Sequence, residues 1–441
     1  MASTRLQRNP STQGTTETGT LSVWVKRSSL NTNQNILTFV QGGSYLEIYF
    51  RENADTIRIY GTSFVTTELY TNRKFRDTNA WYHIVVAIDS TQATASNRVK
   101  LYINGVQETS FSTANYPGQG NNMYINGGSG SINIGSLNPS GSQYFDGSMS
   151  HFHWIDGTAY DASAFGEYDA NGVWKIKTEP SVTYGNNGFW WLKDTNSATD
   201  SSPNSNTPTI GGTLTKTEDN PSNVFATLNP LKSWNDSGTL RQPSYSYGNT
   251  RAIFDDAGQN EQAFSTLASS TGKFYCEVKA TNVTATENTR IGIGDIDYTG
   301  TANPNNQSTT IYYAGSGNKR IGSSSSSYGS SYTNGDIIGV AMDLDNNKLY
   351  FSKNGTWQNS GIPTSGSTGT GAIDISDGYN YCFITEDYAS SGNRYMDTNF
   401  GNGYFGSTQI SSAGTNASGN GIFEYDVPTG YTALSTKGLN L

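Results

Sequence analysis

A chain of 441 residues is too long for one hydrophobic core, so at least two domains are expected. Only 14% of the residues are charged and the net charge is −9, from Lys+Arg 27 against Asp+Glu 36. That balance argues against nucleic acid, which needs a basic footprint, and no polybasic run suits a membrane surface.

No apolar stretch approaches the ~20 residues of a membrane span. The start, MASTRLQRNPSTQG, has no apolar h-region. Neither membrane insertion nor signal-peptide secretion is expected. Gly at 49 and Tyr at 28, with abundant Ser, Thr and Asn, is a mixture that binding loops favour. The same residues also serve the turns of many short strands.

Residues 1–14 are polar and patternless and read as an N-terminal arm that orders on a partner. From Leu21, LSVWVKR alternates, with Leu21, Val23 and Val25 on one side. ILTFV, YLEIYF and TIRIYG predict three more short strands. The stretch Trp81–Gly105 predicts a hairpin. Ile84, Val86 and Ile88 oppose His83, Val85 and Ala87, and Val99, Leu101 and Ile103 oppose Lys100, Tyr102 and Asn104. Asn104-Gly105 supplies the positive φ of a tight turn. Beyond it come NMYING, SINIG and YFDGSMSHFHWIDGTAYDASAFGE, with Asp161 placed to cap a brief helix. GFWWLKD, 188–194, closes the set.

The Trp-Tyr-His-Ile-Val-Val and Leu-Tyr-Ile-Asn-Gly strands, with the Phe-Asp-Gly strand, resemble the laminin G-like domains of the concanavalin A-like sandwich group. The resemblance covers 15–195. Residues 196–225, rich in Asn, Ser and Pro, read as a linker, so first proteolysis is expected between Thr195 and Asn223.

In the second half, KFYCEVKA and RIGIGDIDY are strand-like. The hairpin 334–355, NGDIIGVAMDLDNNKLYFSKNG, offers Asn346-Asn347 as the two positive-φ residues of its turn. With YNYCFITED and NFGNGYF it resembles SPRY domains over 226–434, leaving 435–441 as a C-terminal tail. The fold class is therefore all-β, as two tandem antiparallel β-sandwiches of jelly-roll, concanavalin A-like type. Cys276 and Cys382 read as buried free thiols.

DNPSNVFATLNPL (219–231), VPTGYTAL (427–434) and FDGSMSHFHWIDG resemble segments of bacteriophage virion proteins. This resemblance implies a virion-surface location on tail or capsid, and contacts with other virion subunits. It implies a tail-fibre or receptor-binding component recognising host-surface glycan or protein. A capsid-decoration or tail-assembly protein is the alternative. Fibre proteins are often trimers, so a homo-oligomer is compatible with it, although no heptad repeat is visible.

An enzyme is not expected. Glycoside hydrolysis needs two carboxylates across a cleft, and the Glu-x-Asp-x-x-Glu string of related glucanases is absent, which leaves a polysaccharide depolymerase as a weaker alternative. Asp295 with Asp297 and Asp343 with Asp345 read as turn residues. His151 and His153 share a strand face but lack a third metal ligand, and His83 lies within the core hairpin. No cofactor is expected. Some laminin G-like domains bind calcium, for which Asp55, Asp89 and Asp146 are unranked candidates, so no metal ligand is assigned. The serine-rich stretch 322–335 reads as a solvated or binding loop. Tyr298, Tyr328, Trp357 and Tyr388 lie on loop-like stretches and are the candidate ligand-binding residues, each offering a flat face to a sugar ring.

Overall fold

The computed structural model describes residues 4–62, 67–193, 198–236, 239–255, 260–283, 286–299, 303–388 and 393–440. The chain divides into two units, Met1–Lys216 and Thr217–Leu441. Among the described residues all regular structure is strand or short 3-10 turn.

The first unit packs an eight-stranded sheet on a six-stranded one. The expected hairpin is present as Tyr82–Asp89 paired with Val99–Ile103. Ile84, Val86, Ile88, Val99, Leu101 and Ile103 all enter the main core, with Leu21, Val23 and Val25 from Thr18–Arg27. Period-two alternation thus puts one face of the six-stranded sheet into the sandwich. Asn104 (φ 49°) and Gly105 (φ 83°) turn the chain into Val106–Glu108. Asp161 caps the brief 3-10 helix by accepting the Ser163 N–H. Phe189–Trp191 closes the sheet against Gly147–Asp156.

Two expectations are corrected here. Arg5–Arg8, expected as part of a free arm, is a strand between Ser131–Ile134 and Thr209–Gly211, and Leu6 reaches the core. The neighbouring strands supply the partner that a polar segment lacks in the sequence. Much of the expected linker is also structured. Asp200 accepts the backbone N–H groups of Trp190, Ser202 and Asn206, Thr209–Gly211 joins the sheet, and Leu214 packs on the core.

In the second unit a nine-stranded sheet faces a six-stranded one. The hairpin Ile337–Asp343 with Lys348–Lys353 is as expected, but its turn differs. Only Asn347 has positive φ (57°), whereas the Asn346 side chain bonds the Asp343 carboxylate. The loop closes over four residues, so one left-handed residue suffices. Cys276 and Cys382 are buried free thiols in separate apolar clusters. The supposed C-terminal tail is docked: Ser435 bridges Phe225, and Gly438 is buried.

Candidate functional site

The outer face of the eight-stranded sheet carries the densest constellation. In Ser44–Phe50, Leu46, Ile48 and Phe50 fill the core, so Tyr45, Glu47 and Tyr49 point outward. In Ile57–Gly61, Ile57 and Ile59 go inward and Arg58 and Tyr60 outward. In Glu68–Thr71, Leu69 is core and Glu68 and Tyr70 face out. Register sets Glu47 against Tyr60 and Tyr60 against Glu68, and beside them Tyr49 against Arg58 and Arg58 against Tyr70.

Arg58 organises this face. Its guanidinium lies 3.8 Å from the Tyr60 ring centroid and 4.8 Å from that of Tyr70. It donates to the Tyr49 hydroxyl at 2.5 Å and to Glu68 at 2.6 Å, and the Tyr70 hydroxyl donates to the same carboxylate at 2.7 Å. Arg51 stacks on Tyr70 at 4.8 Å, and the Tyr45 and Tyr60 rings are 6.2 Å apart. Tyr45, Tyr60 and Tyr70 are half-buried, so their rings are fixed yet partly open. Fixed rings of this kind offer stacking area at little entropic cost.

The two carboxylates of this row differ. Burial pushes Glu47 up to about 7, against the Asn35 hydrogen bond and the Arg58 charge. Glu68 is held below its ordinary value by the Tyr70 hydroxyl and by Arg58. They flank Tyr60 on alternate strands, about 9–10 Å apart at Cα from strand spacing.

On the outer side of the six-stranded sheet, His83 is buried, stacked on Trp24 at 4.7 Å, and bonded to Ser22 Oγ at 2.9 Å. The His151–His153 alternation is broken by a register shift between Ser150 and His153, with His151 at φ 48°. Their ring centroids stand 6.5 Å apart, and His153 Nδ1 bonds the Tyr184 hydroxyl at 2.9 Å. Asp55 is occupied by Arg27 and Arg76, and Asp89 by Thr91 and Gln92. Among the described residues no three His, Cys, Asp or Glu side chains converge.

The sequence-predicted site residues are scattered in the second unit. Tyr328 is a core residue, 6% exposed, edge-on to Tyr313 and Phe351. This corrects its reading as an exposed ring: the preceding serines form a strand, and the chain turns the ring inward behind them. Trp357 is half-buried against Tyr275, at 6.4 Å. Tyr298 is half-buried, its carbonyl accepting from Lys232. Tyr388 ends the strand Tyr381–Tyr388, and its side chain lies outside the described residues. Gln358, beside Trp357, accepts the Ser330 N–H, which ties together the Tyr328 and Trp357 loops. The Tyr298 loop joins the 376–380 loop instead, through Asp297 and Asn380. That loop carries Tyr379, 41% exposed, which the sequence reading passed over. Asp295 and Asp343 make the expected turn hydrogen bonds, to the Asp297 and Asn346 N–H groups.

The tyrosine–arginine face was also missed. Its signal was present in YLEIYF, TIRIYG and ELYT, where the outward positions are Tyr, Glu and Arg throughout.

Comparison with known proteins agrees with this architecture. Residues 3–164 match a laminin G-type model of the concanavalin A-like lectin/glucanases superfamily, and residues 273–372 match the SPRY domain. The chain therefore carries a laminin G-like domain followed by a SPRY domain. The SPRY domain of human HERC1 is similar at 15% identity, over 39% of this chain and 96% of that one, with TM-score 0.31. The TRIM65 PSpry domain is similar at 11%, over 40% and 91%, with TM-score 0.29. Domain 4 of AbnA, a GH43 extracellular arabinanase from Geobacillus stearothermophilus solved with arabinotriose, is similar at 20%, over 33% and 63%, with TM-score 0.25. No curated protein matches the chain.

Proposed function

We propose that this laminin G-like and SPRY chain is a non-enzymatic binding protein of a phage particle. It serves as a tail-fibre or receptor-binding component on the virion surface, and its tyrosine–arginine face takes a host-surface glycan. The observation that carries the saccharide reading is Arg58 held between the Tyr60 and Tyr70 rings. A sugar presents one apolar ring face and a rim of hydroxyls. Half-open tyrosines meet the first, while guanidinium, phenol and carboxylate groups meet the second. Low overall charge favours a neutral ligand. The virion assignment rests on the resemblance of FDGSMSHFHWIDG and of the two junction segments. Copies arrayed on a particle would turn weak single contacts into firm attachment.

The test is calorimetric titration of purified host surface polysaccharide into the whole protein and into Tyr60→Ala, beside adsorption competition and imaging of the particle. Binding lost in the variant, with competition and a tail location, supports the proposal. A capsid-shell location without competition would favour the decoration or assembly role.

The unequal carboxylates Glu47 and Glu68 favour the depolymerase as a second reading, because an acid kept protonated beside an ionised partner is the pairing that glycoside hydrolysis uses. Release of reducing sugar, abolished in Glu47→Gln, would establish it.

A further inference from the structure

The serine-rich stretch is not a loop. Ser324–Ser327 forms the outermost strand of the six-stranded sheet in the second unit, paired with Asn318–Ile321 through the two-residue turn Gly322-Ser323. All four serines are exposed. Counting from that turn, Ser325 and Ser327 direct both backbone groups away from the sheet. Within this unit no described residue pairs with that side.

The other edge strands among the described residues are protected. Most are two or three residues long. Phe111–Asn115 carries a register shift between Phe111 and Thr113. Asn260–Phe264 is mostly buried, and its Phe264 carbonyl accepts the Asn229 N–H. Ser324–Ser327 has no bulge, proline or charge, the usual devices against strand addition.

Charge specifies the occupant. Arg320 lies opposite Ser325 and Lys319 opposite Ser326. Arg320 Nε donates to the Gly322 carbonyl at 3.0 Å, and among the described residues its terminal nitrogens have no acceptor. Nearby carboxylates are engaged elsewhere: Glu287 by Ser316, Asn318 and Ser325, and Glu386 by Arg290, Gln262 and Tyr312. Burial and the Arg290 charge hold Arg320 below its ordinary value, although the Glu386, Tyr312 and Glu287 charges draw it up. A second copy fits poorly, because pairing two serine edges would bring two Arg320 side chains together, while the Glu287 carboxylate at this edge already accepts from Ser316, Asn318 and Ser325.

We propose that Ser324–Ser327 is a docking edge at which an extended acidic peptide segment of a partner adds as a further antiparallel strand, its carboxylate beside Arg320. This goes beyond the saccharide reading and stands apart from it, since it uses a different unit and a different ligand.

The probe is a capped peptide of alternating Asp and Val, with a Lys/Val peptide as control. Affinity to the whole protein is read by fluorescence anisotropy, and residues 322–328 are followed by hydrogen exchange. The Asp/Val peptide should protect that segment and bind at least about tenfold more tightly than the control. Arg320→Glu should invert the preference. Ser325→Pro, which removes an outward N–H, should abolish binding. Where Ser325→Pro melts early, the Arg320→Glu inversion decides. No binding, equal affinity of the two peptides, or protection elsewhere would overturn the proposal. So would self-association of the protein that Arg320→Glu leaves unchanged and Ser325→Pro removes.

Discussion

Trp174 donates its indole N–H to His83 Nδ1 at 2.9 Å, across 91 positions of sequence. An indole nitrogen only donates, so Nδ1 is the acceptor and the neutral ring carries its proton on Nε2, facing Ser22 Oγ. The ring therefore donates to the serine and does not take its proton, the reverse of what a nucleophile needs. Burial lowers His83 to about 3. Trp174→Phe should cost about 1–3 kcal/mol of first-unit stability by stranding this acceptor, measured by denaturant melts.

Opposite responses of the two units to mild acid follow from their buried groups. His83 and His153 are depressed by burial. The unfolded chain takes up protons near pH 6.5 that the folded one refuses, so their contribution is present above that pH and falls as pH drops. Glu47, raised to about 7, works the other way and offsets one histidine down to about pH 4.5. In the second unit, burial raises Glu277 to about 7 and Asp387 to about 6. Their contribution is fully present at low pH and is lost as pH rises through those values. Each group changes stability by up to about 1.4 kcal/mol per pH unit within its window. Calorimetry at pH 7 and pH 5 should show the first-unit transition moving down and the second-unit transition moving up.

Tyr60→Ala should weaken saccharide binding by about 2 kcal/mol while the melting temperature changes little, since the ring is half-open. A large fall in melting temperature with binding intact would place Tyr60 among the structural residues.

Tyr328→Ala should behave as a core truncation. Loss of a buried ring costs about 3–5 kcal/mol, so the second-unit melting transition should drop markedly. An unchanged transition would contradict the inward placement of the ring.

Limited trypsin digestion should cut after Lys216. Thr213 accepts the Thr4 hydroxyl on one side, and the Glu218 N–H donates to Asn402 on the other. Mass spectrometry should find Thr209–Gly211 retained on the N-terminal fragment. In a parallel digest with a protease of broad specificity, early cleavage among 198–211 would show that Asp200 does not pin that segment.

Local pattern determined much of this protein. Alternation alone located the first central hairpin and assigned Ile84, Val86 and Ile88 to the core, because strand geometry sends alternate side chains to opposite faces whatever the partner strand. Asn104-Gly105 announced its turn because few residues adopt positive φ. Long-range pairing was decided only by the tertiary structure. Arg5–Arg8 has no signal of its own and becomes a strand because Ser131–Ile134 and Thr209–Gly211, more than 120 residues away, flank it. Tyr328 sits in a run of serines that reads as solvent, yet pairing with Asn318–Ile321 fixes the chain and turns the ring inward. Tyr45, Arg58, Tyr60 and Tyr70 become one face only through the register of three strands. Composition and period are properties of a segment, whereas a binding face belongs to the distances between segments, and those are set by packing.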